Sequence, residues 1–222
     1  MRFKDVFSII GPGMVGPSSS HTAGAVRIGR TARHVFGSLP KQVEIILYGS
    51  FADTYKGHGT DLALAGGLLD MATDDLRIRD SLRLAEQSGI EITIRTAHKA
   101  GLHPNTASLV LRDGQREEQV TGCSIGGGSI EITAVSGFDV RFSAMYPTLL
   151  IFHADRAGMI KEMTQLLNEQ ALNIGAMDLD RKSRGGEALT VIETDGEAAP
   201  DLMEHIRLLP HVRRVCSVNI GH

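Results

Sequence analysis

The chain has no tryptophan and only two cysteines among its 222 residues, and aromatic residues make up 5% of it. Cys123 and Cys216 lie far apart in the sequence, so they form no disulfide framework. An iron–sulfur cluster takes three or four thiolates, and a structural zinc usually needs closely spaced Cys and His ligands. Neither set is available, so we predict that this chain holds no metal and that both cysteines are small buried apolar residues.

Long apolar runs and an excess of one charge sign are also missing. The formal net charge is −3, which favours neither a nucleic-acid backbone nor an anionic membrane as a partner. No segment approaches the roughly 18 apolar residues of a membrane span, and the apolar run VFSII at 6–10 is too short for a signal peptide. We therefore expect a cytoplasmic protein that binds no nucleic acid and no membrane.

The first part of the sequence mixes strand and helix patterns. The predicted elements are strands at 6–10 and 42–50 and helices at 22–36, 57–71 and 74–89. Ser20 is the predicted N-cap of the first helix, and the second helix is expected to begin near Thr60 or Asp61, after a glycine loop. Further strands are predicted at 91–96, 106–113, 116–125, 128–135 and 138–142. Asp113-Gly114 is a strong hairpin signal and Ser136-Gly137 a weaker one, so these strands predict an antiparallel meander.

Residues 147–222 form a second, self-contained pattern. The predicted order is a strand at 148–154, a helix at 155–170, strands at 172–182 and 186–194, a helix at 199–209 and a strand at 212–220. The order βαββαβ is the ferredoxin-like arrangement. The sequence therefore predicts an α+β (mixed α/β) chain, with an N-terminal α/β domain at 1–146 and a C-terminal ferredoxin-like domain at 147–222.

The segment GPSSSHTAG, residues 16–24, is rich in hydrogen-bonding side chains that pair no charge. A helix N-terminus offers unpaired N–H groups and a partial positive charge. The hydroxyls and one histidine would add donors at the same place, so the segment predicts a site for a carboxylate or phosphate. A capped helix that follows an ordinary polar loop is the alternative.

Three other segments are weaker candidates. In Gly57-His58-Gly59-Thr60-Asp61, glycines flank a histidine and would allow a ligand to approach the backbone closely. His103-Pro104-Asn105 and Gly126-Gly127-Gly128 lie between predicted strands. For each, an exposed loop or a flexible connection is the alternative. Gly11–Gly16 matches the dinucleotide-binding glycine pattern, but Pro17 follows at once and the helix starts too late, so we predict no dinucleotide site.

The run Gly16–Gly24 resembles the signature of bacterial iron–sulfur-dependent L-serine dehydratases (L-serine deaminases). The segments Gly57–Asp61, His103–Asn105 and Gly126–Ile130 fall where the β portion of that family carries similar motifs. The resemblance extends over the whole chain: residues 1–146 look like the substrate-binding-like β domain, and residues 147–222 look like an ACT domain. It implies a stand-alone beta subunit.

The family converts L-serine to pyruvate and ammonia with a [4Fe–4S] cluster bound by cysteines of its α portion. In that chemistry the iron acts as a Lewis acid on the serine hydroxyl while a base removes the Cα proton. Since this chain lacks the thiolates, the resemblance implies a separate cysteine-bearing alpha subunit that ligates the cluster, without which the chain is inactive.

The resemblance also assigns roles to residues. Ser18, Ser19, Ser20 and Thr22 would hold the L-serine carboxylate, and Thr60 and Asn105 are further substrate-binding candidates. His21 and His58 are candidates for proton transfer or anion stabilisation, with Asp61 orienting His58. A base supplied by the alpha subunit is the alternative.

For the ACT-like part, the resemblance implies a ligand site where the first strand meets the first helix. Its residues would be Asp155, Arg156, Ala157, Gly158, Asn173 and Ile174. A domain that only dimerises is the alternative, and homodimer contacts are expected through this part or through the N-terminal domain. Two rival functions remain: a non-catalytic L-serine sensor, because phosphoglycerate dehydrogenases carry a similar pair of domains, and a dimerising scaffold.

Overall fold

The computed structural model describes residues 13–221, which have the predicted α+β architecture. The chain divides into two compact units, and the division falls between Ser136 and Gly137. Unit 1 is described here from residue 13 to residue 136, and unit 2 from residue 137 to residue 221. The strand predicted at 6–10 lies outside the described residues. No helix within 13–221 is long and apolar enough to cross a membrane.

Unit 1 packs helices against one sheet. A π-helical turn, Ser19–Ala23, leads directly into α1, Gly24–Phe36. The remaining elements are β1 Gln42–Tyr48, α2 Gly49–His58, α3 Thr60–Leu68, a 3₁₀ turn Leu76–Asp80, α4 Ser81–Gln87, β2 Glu91–Ala97, β3 Thr106–Arg112, β4 Glu117–Gly126 and β5 Ser129–Val135. The helix predicted at 74–89 is thus a 3₁₀ turn followed by a short α-helix.

The sheet of unit 1 has the strand order β2-β1-β3-β4-β5. Strands β3, β4 and β5 form the predicted antiparallel meander, and Gly114 takes a positive φ of 91° in the first hairpin. The prediction that β2 belongs to this meander is wrong, because β2 pairs in parallel with β1. Parallel neighbours need a long crossover, which the segment from α2 to α4 supplies.

The sequence patterns do not predict helix α2. It begins at Gly49, immediately after β1, and Gly59 ends it with a positive φ of 65°. His58 is therefore the last residue of a helix, and the glycine loop expected before α3 shrinks to the single residue Gly59. This places the N-terminus of α2 at the carboxyl end of β1.

Two glycines allow α1 and α3 to cross at very short range. A Cβ added at Gly29 would lie 2.4 Å from the Leu64 carbonyl oxygen, and one added at Gly67 would lie 2.2 Å from the Val26 carbonyl oxygen. Neither position has room for a side chain. The crossing therefore fixes where the π-helical turn before α1 sits relative to α3.

Unit 2 contains β6 Thr148–Ala154, α5 Met159–Glu169, β7 Ile174–Arg181, β8 Glu187–Thr194, α6 Pro200–Leu208 and β9 Val212–Val218. The strand order β7-β8-β6-β9 with antiparallel neighbours is the ferredoxin-like arrangement that the sequence predicts. Residues such as Ile151, Met163 and Ile206 are fully buried between the sheet and its two helices.

The segment at 138–142 is not the strand that the sequence predicts. The N–H groups of Asp139, Arg141 and Ser143 donate to three carboxylates, those of Asp180, Asp178 and Glu193, at 2.7–2.9 Å. Because side chains of β7 and β8 take these alternate N–H groups, the segment forms no strand ladder with them. It belongs to unit 2 instead of extending the meander of unit 1.

Candidate active site

The polar residues predicted at 18–22 form the π-helical turn before α1; we call Ser18, Ser19, Ser20, His21 and Thr22 the seryl cradle. Ser18 is the N-cap, not Ser20, because the Ser18 Oγ accepts the backbone N–H of His21 at 3.2 Å. The Ser20 hydroxyl is thereby left for the histidine ring. The cradle is open at the N-terminus of a continuous helix, where the first turn leaves N–H groups without intrahelical partners.

The imidazole of His21 is held from both sides. Its Nδ1 lies 3.1 Å from Ser20 Oγ, and its Nε2 lies 3.0 Å from Ser50 Oγ at the start of α2. The edge of the Phe51 ring contacts it at 5.3 Å, and the His58 ring lies at 4.7 Å between centroids. Elements that are distant in sequence therefore converge on one ring.

Burial lowers the pKa of His21, and the neighbouring His58 lowers it further. Burial acts because it disfavours the cation, and the second histidine acts by repulsion between like charges. His21 is therefore neutral at pH 7. A neutral imidazole that is held by two hydroxyls can accept a proton.

His58 and Thr60 bring unsatisfied polar atoms to the same region. The Thr22 hydroxyl donates to the His58 carbonyl at 3.4 Å, which ties the cradle to the end of α2. Within residues 13–221, the buried His58 Nδ1 and the Thr60 hydroxyl have no hydrogen-bond partner. Buried polar atoms without partners are rare and call for a ligand, a water or a function.

Asp61 does not join this group. Its carboxylate accepts the adjacent Leu62 N–H at 2.9 Å, and no hydrogen bond connects it to His58 in the described chain. The orienting role expected for Asp61 therefore has no contact to support it.

The loop His103–Asn105 contacts the start of α2. The Pro104 carbonyl accepts the N–H of Phe51 at 3.3 Å, and Gly49, with a φ of 54°, has no room for a Cβ beside Pro104. The Asn105 carbonyl accepts the Ser124 N–H at 3.0 Å. Asn105 is thus positioned between α2 and β4, at the same end of the sheet as the cradle.

Sequence reasoning missed Ser50, Phe51 and Ser124. Ser50 and Phe51 belong to the unrecognised helix α2, and a serine just after a β-rich run that ends in glycine was the available signal. Ser124 is fully buried, with its hydroxyl unpartnered among the described residues. A Cβ at Gly24 would lie 2.1 Å from the Ser124 Oγ, so β4 packs directly against the first turn of α1.

The structure does not bring the candidate ligand residues of unit 2 together: the start of α5 lies at the end of the sheet where β6 ends, and the start of β7 lies at the opposite end, beside Thr194. Asp155, Arg156 and Ala157 precede α5, whose N-cap is Gly158 with a φ of 92° and no capping side chain. Asn173 immediately precedes β7, and Ile174 is its first residue.

Several of these side chains are already paired within unit 2. The Asp155 carboxylate accepts from Arg181 at 3.0 Å and from the Gly185 N–H at 2.9 Å, and these bonds hold its pKa below the usual range. Arg156 donates to Glu162, and Asn173 donates to Asp195. A ligand near Gly158 would therefore contact the N–H groups at the start of α5, because the Asp155 carboxylate is already hydrogen-bonded.

The described residues offer no ligand set for an iron–sulfur cluster. Among residues 13–221, no group of three or more His, Cys, Asp or Glu side chains could hold a metal ion. Cys123 is buried on β4 of unit 1, as predicted, whereas Cys216 on β9 of unit 2 is only half-buried, so the prediction that both are buried is wrong for Cys216. Neither forms a disulfide, and two thiols are too few to ligate a cluster.

Sequence similarity to known proteins identifies the family of this chain. The family described as "Serine dehydratase beta chain" matches residues 3–134. A "Probable L-serine dehydratase, beta chain" of Bacillus subtilis is 45% identical over 98% of this chain and 99% of that protein. The "L-serine dehydratase, beta chain" of Peptoniphilus asaccharolyticus is 39% identical over 88% of this chain and 89% of that protein.

A more distant relative matches this chain over a smaller share of its own length. A D-3-phosphoglycerate dehydrogenase of Methanocaldococcus jannaschii is 22% identical over 88% of this chain, but over only 37% of its own length. The two beta chains, by contrast, match nearly end to end. Together with the family match across the cradle and its sheet, they identify this chain as a member of the serine dehydratase beta chain family.

Proposed function

We propose that the chain is the beta subunit of an L-serine ammonia-lyase, which converts L-serine to pyruvate and ammonia in the cytoplasm. The observation that carries this proposal is the seryl cradle around His21, which combines hydroxyl donors, a helix N-terminus and a neutral imidazole. Elimination of water from L-serine, followed by hydrolysis to pyruvate and ammonia, requires the carboxylate to be held while the Cα proton leaves. Family membership supports the same conclusion.

In this proposal, Ser18, Ser19, Ser20 and Thr22 bind the carboxylate, and Thr60 and Asn105 complete the pocket. Each His21 ring nitrogen faces a seryl hydroxyl, so a substrate proton reaches the ring by exchange with Ser20 or Ser50. His58, whose ring lies beside that of His21, stabilises the negative charge that develops on the substrate. A base supplied by the partner subunit is the alternative to His21.

The partner is a separate cysteine-bearing alpha subunit that ligates the [4Fe–4S] cluster. Two observations support it: the described residues lack a ligand set for the cluster, and the two near-full-length relatives are themselves called beta chains. The chain alone should therefore be inactive.

The test is anaerobic pyruvate formation from L-serine by this chain, by its cysteine-bearing partner, and by the two together. We expect activity only in the mixture. An iron-loaded partner that is fully active alone and gains no rate from this chain would reject the catalytic role.

Unit 2 is proposed to be an ACT domain that regulates the enzyme or dimerises it. A small amino acid would bind at the α5 N-terminus, near Gly158; Asn173 and Ile174 lie at the opposite end of the sheet and are not part of this proposed site. Gly158→Asp places a carboxylate there and should abolish L-serine binding to this second site, measured by equilibrium dialysis. Unchanged binding would leave dimerisation as the role of unit 2.

A second candidate is a non-catalytic L-serine sensor. The observation that favours it is the similarity of most of this chain to about a third of a D-3-phosphoglycerate dehydrogenase. A sensor would bind L-serine but would add no turnover to any partner, so the same mixing experiment separates the two functions.

A further inference from the structure

The seryl cradle is proposed to bind a carboxylate, yet its own side chains carry no full positive charge. Its donors are hydroxyls and N–H groups, and His21 is neutral at pH 7 because burial lowers its pKa. Hydrogen bonds from a charged donor to a carboxylate are roughly twice as strong as those between neutral groups. A cation next to the cradle would therefore matter for affinity.

Arg27, seven residues after Ser20 on the same continuous helix, is the candidate for such a cation. Ser20, Gly24 and Arg27 follow one another at the i, i+4, i+7 spacing that lines one face of a helix. Long helical side chains lean toward the N-terminus of their helix, which here is the cradle. Between the two, Gly24 has no side chain, and the Ser124 hydroxyl, which has no partner among the described residues, fills the space beside it.

The guanidinium of Arg27 is half-buried and has no counter-ion in the described chain. Its Nη1 donates to the buried Gly128 carbonyl at 3.0 Å, and no carboxylate of residues 13–221 pairs with it. Burial and the nearby Arg30 both lower its pKa, as expected for a cation without an anion. Arg30, one turn further along, is paired with Asp70 at 2.9 Å.

The glycine turn explains how Arg27 is held. Gly126, Gly127 and Gly128 all have positive φ values, of 100°, 59° and 78°. That backbone is accessible chiefly to glycine, and it leaves the Gly128 carbonyl facing Arg27. One donor of the guanidinium is thereby fixed, and the remaining donors are left for a ligand.

We propose that Arg27 is a carboxylate-binding residue of this site, and that it selects small α-amino acids by pairing with their carboxylate. This inference rests on the proposed function of the cradle, and it adds a residue outside the recognised motifs. Burying a cation is costly unless an anion accompanies it, so substrate binding would complete a pair that the chain leaves open.

The test uses the complex of this chain with its alpha partner. Arg27→Gln should raise the KM for L-serine by about 10- to 100-fold and change kcat only a few-fold, because the lost pair is made in the ground state. Arg27→Lys should recover part of the affinity. Arg30→Gln, the matched control on the same helix, should leave the KM unchanged. Inhibition by L-serinamide, which lacks the carboxylate, should be equal in the parent and in Arg27→Gln.

Three results would overturn the proposal. One is an unchanged KM in Arg27→Gln, and another is an equal weakening of L-serine and L-serinamide. The third is a loss of subunit assembly that excess partner restores together with a normal KM, which would assign Arg27 to docking. If the parent complex forms no pyruvate, the proposed function fails, and direct binding of L-serine to the parent and to Arg27→Gln still decides the role of Arg27.

Discussion

Buried polar groups are satisfied to different degrees at the end of the unit 1 sheet where β1 ends and at the end of the unit 2 sheet where β6 ends. In unit 1, His58 Nδ1 and the hydroxyls of Thr60 and Ser124 are buried without partners in the described chain. In unit 2, Asp155 and the buried His153 are paired with other residues of the unit, although the buried Arg156 Nε also has no partner in the described chain. Unsatisfied groups cost stability, so their concentration in unit 1 marks it as the end built for a ligand.

The largest expected effect comes from removing the His21 ring at the centre of the unit 1 site. His21→Ala should lower turnover of the complex by about 100-fold or more, because it removes the group proposed to move the substrate proton. Subunit assembly should persist and is measured by co-purification. The matched control, His205→Ala on the exposed face of α6, should retain near-normal turnover. Near-normal turnover in His21→Ala would remove it from that role.

The helix crossing that supports the cradle offers a stability test. Gly67→Ala should lower the free energy of unfolding by about 1–3 kcal/mol, because the new methyl group overlaps the Val26 carbonyl oxygen on α1. Gly57→Ala in α2 is the control: nothing lies within 4 Å of the added Cβ, so it should stabilise by up to about 1 kcal/mol. If chemical denaturation shows that the two substitutions change the free energy of unfolding equally, then α1 and α3 do not pack closely enough at Gly67 to exclude a methyl group.

Unit 2 predicts a milder, pH-dependent loss. Asp155→Asn removes the ion pair with Arg181 and weakens the bond to the Gly185 N–H. Since the folded pKa of Asp155 is depressed, its contribution is present above the unfolded value of about 4 and is lost as pH falls through the folded pKa. The melting temperature should therefore drop slightly at pH 7 and match the parent at strongly acidic pH. A change in turnover would contradict a purely structural role.

The smallest effect concerns His21 and stability. Its folded pKa lies below the unfolded value of about 6.5, so the unfolded state binds more protons between these two values. The free energy of unfolding should therefore decrease as pH falls below about 6.5. His21→Asn should flatten this part of the profile, and an unchanged slope would show that the ring is not desolvated.

Sequence patterns predicted unit 2 better than unit 1, for a physical reason. The strands and helices of unit 2 follow simple apolar periodicity; the strand at 148–154 was predicted with the bounds that the structure has. In unit 1, α2 has little apolar periodicity and starts directly from a strand, so GSFADTYKGH gave no clear signal.

The candidate site was only partly predictable in the same way. The polar composition of 18–22 identified the cradle. Ser50 and Ser124, however, lie far from 18–22 in the sequence: Ser50 contacts the His21 ring and Ser124 packs against Gly24, so no pattern within 16–24 identifies either residue. Arg27 was also passed over, because an arginine on an amphipathic helix ordinarily faces solvent.

The extended segment after Ser136 has a practical consequence for dividing the chain. Its N–H groups are bound by Asp178, Asp180 and Glu193, and the Phe138 ring rests edge-on against Phe152 at 6.0 Å. A fragment cut at residue 147 would expose Phe152 and leave three carboxylates without their donors. Independent production of the second unit should therefore start at Gly137, and a truncation only ten residues later should yield an aggregation-prone product.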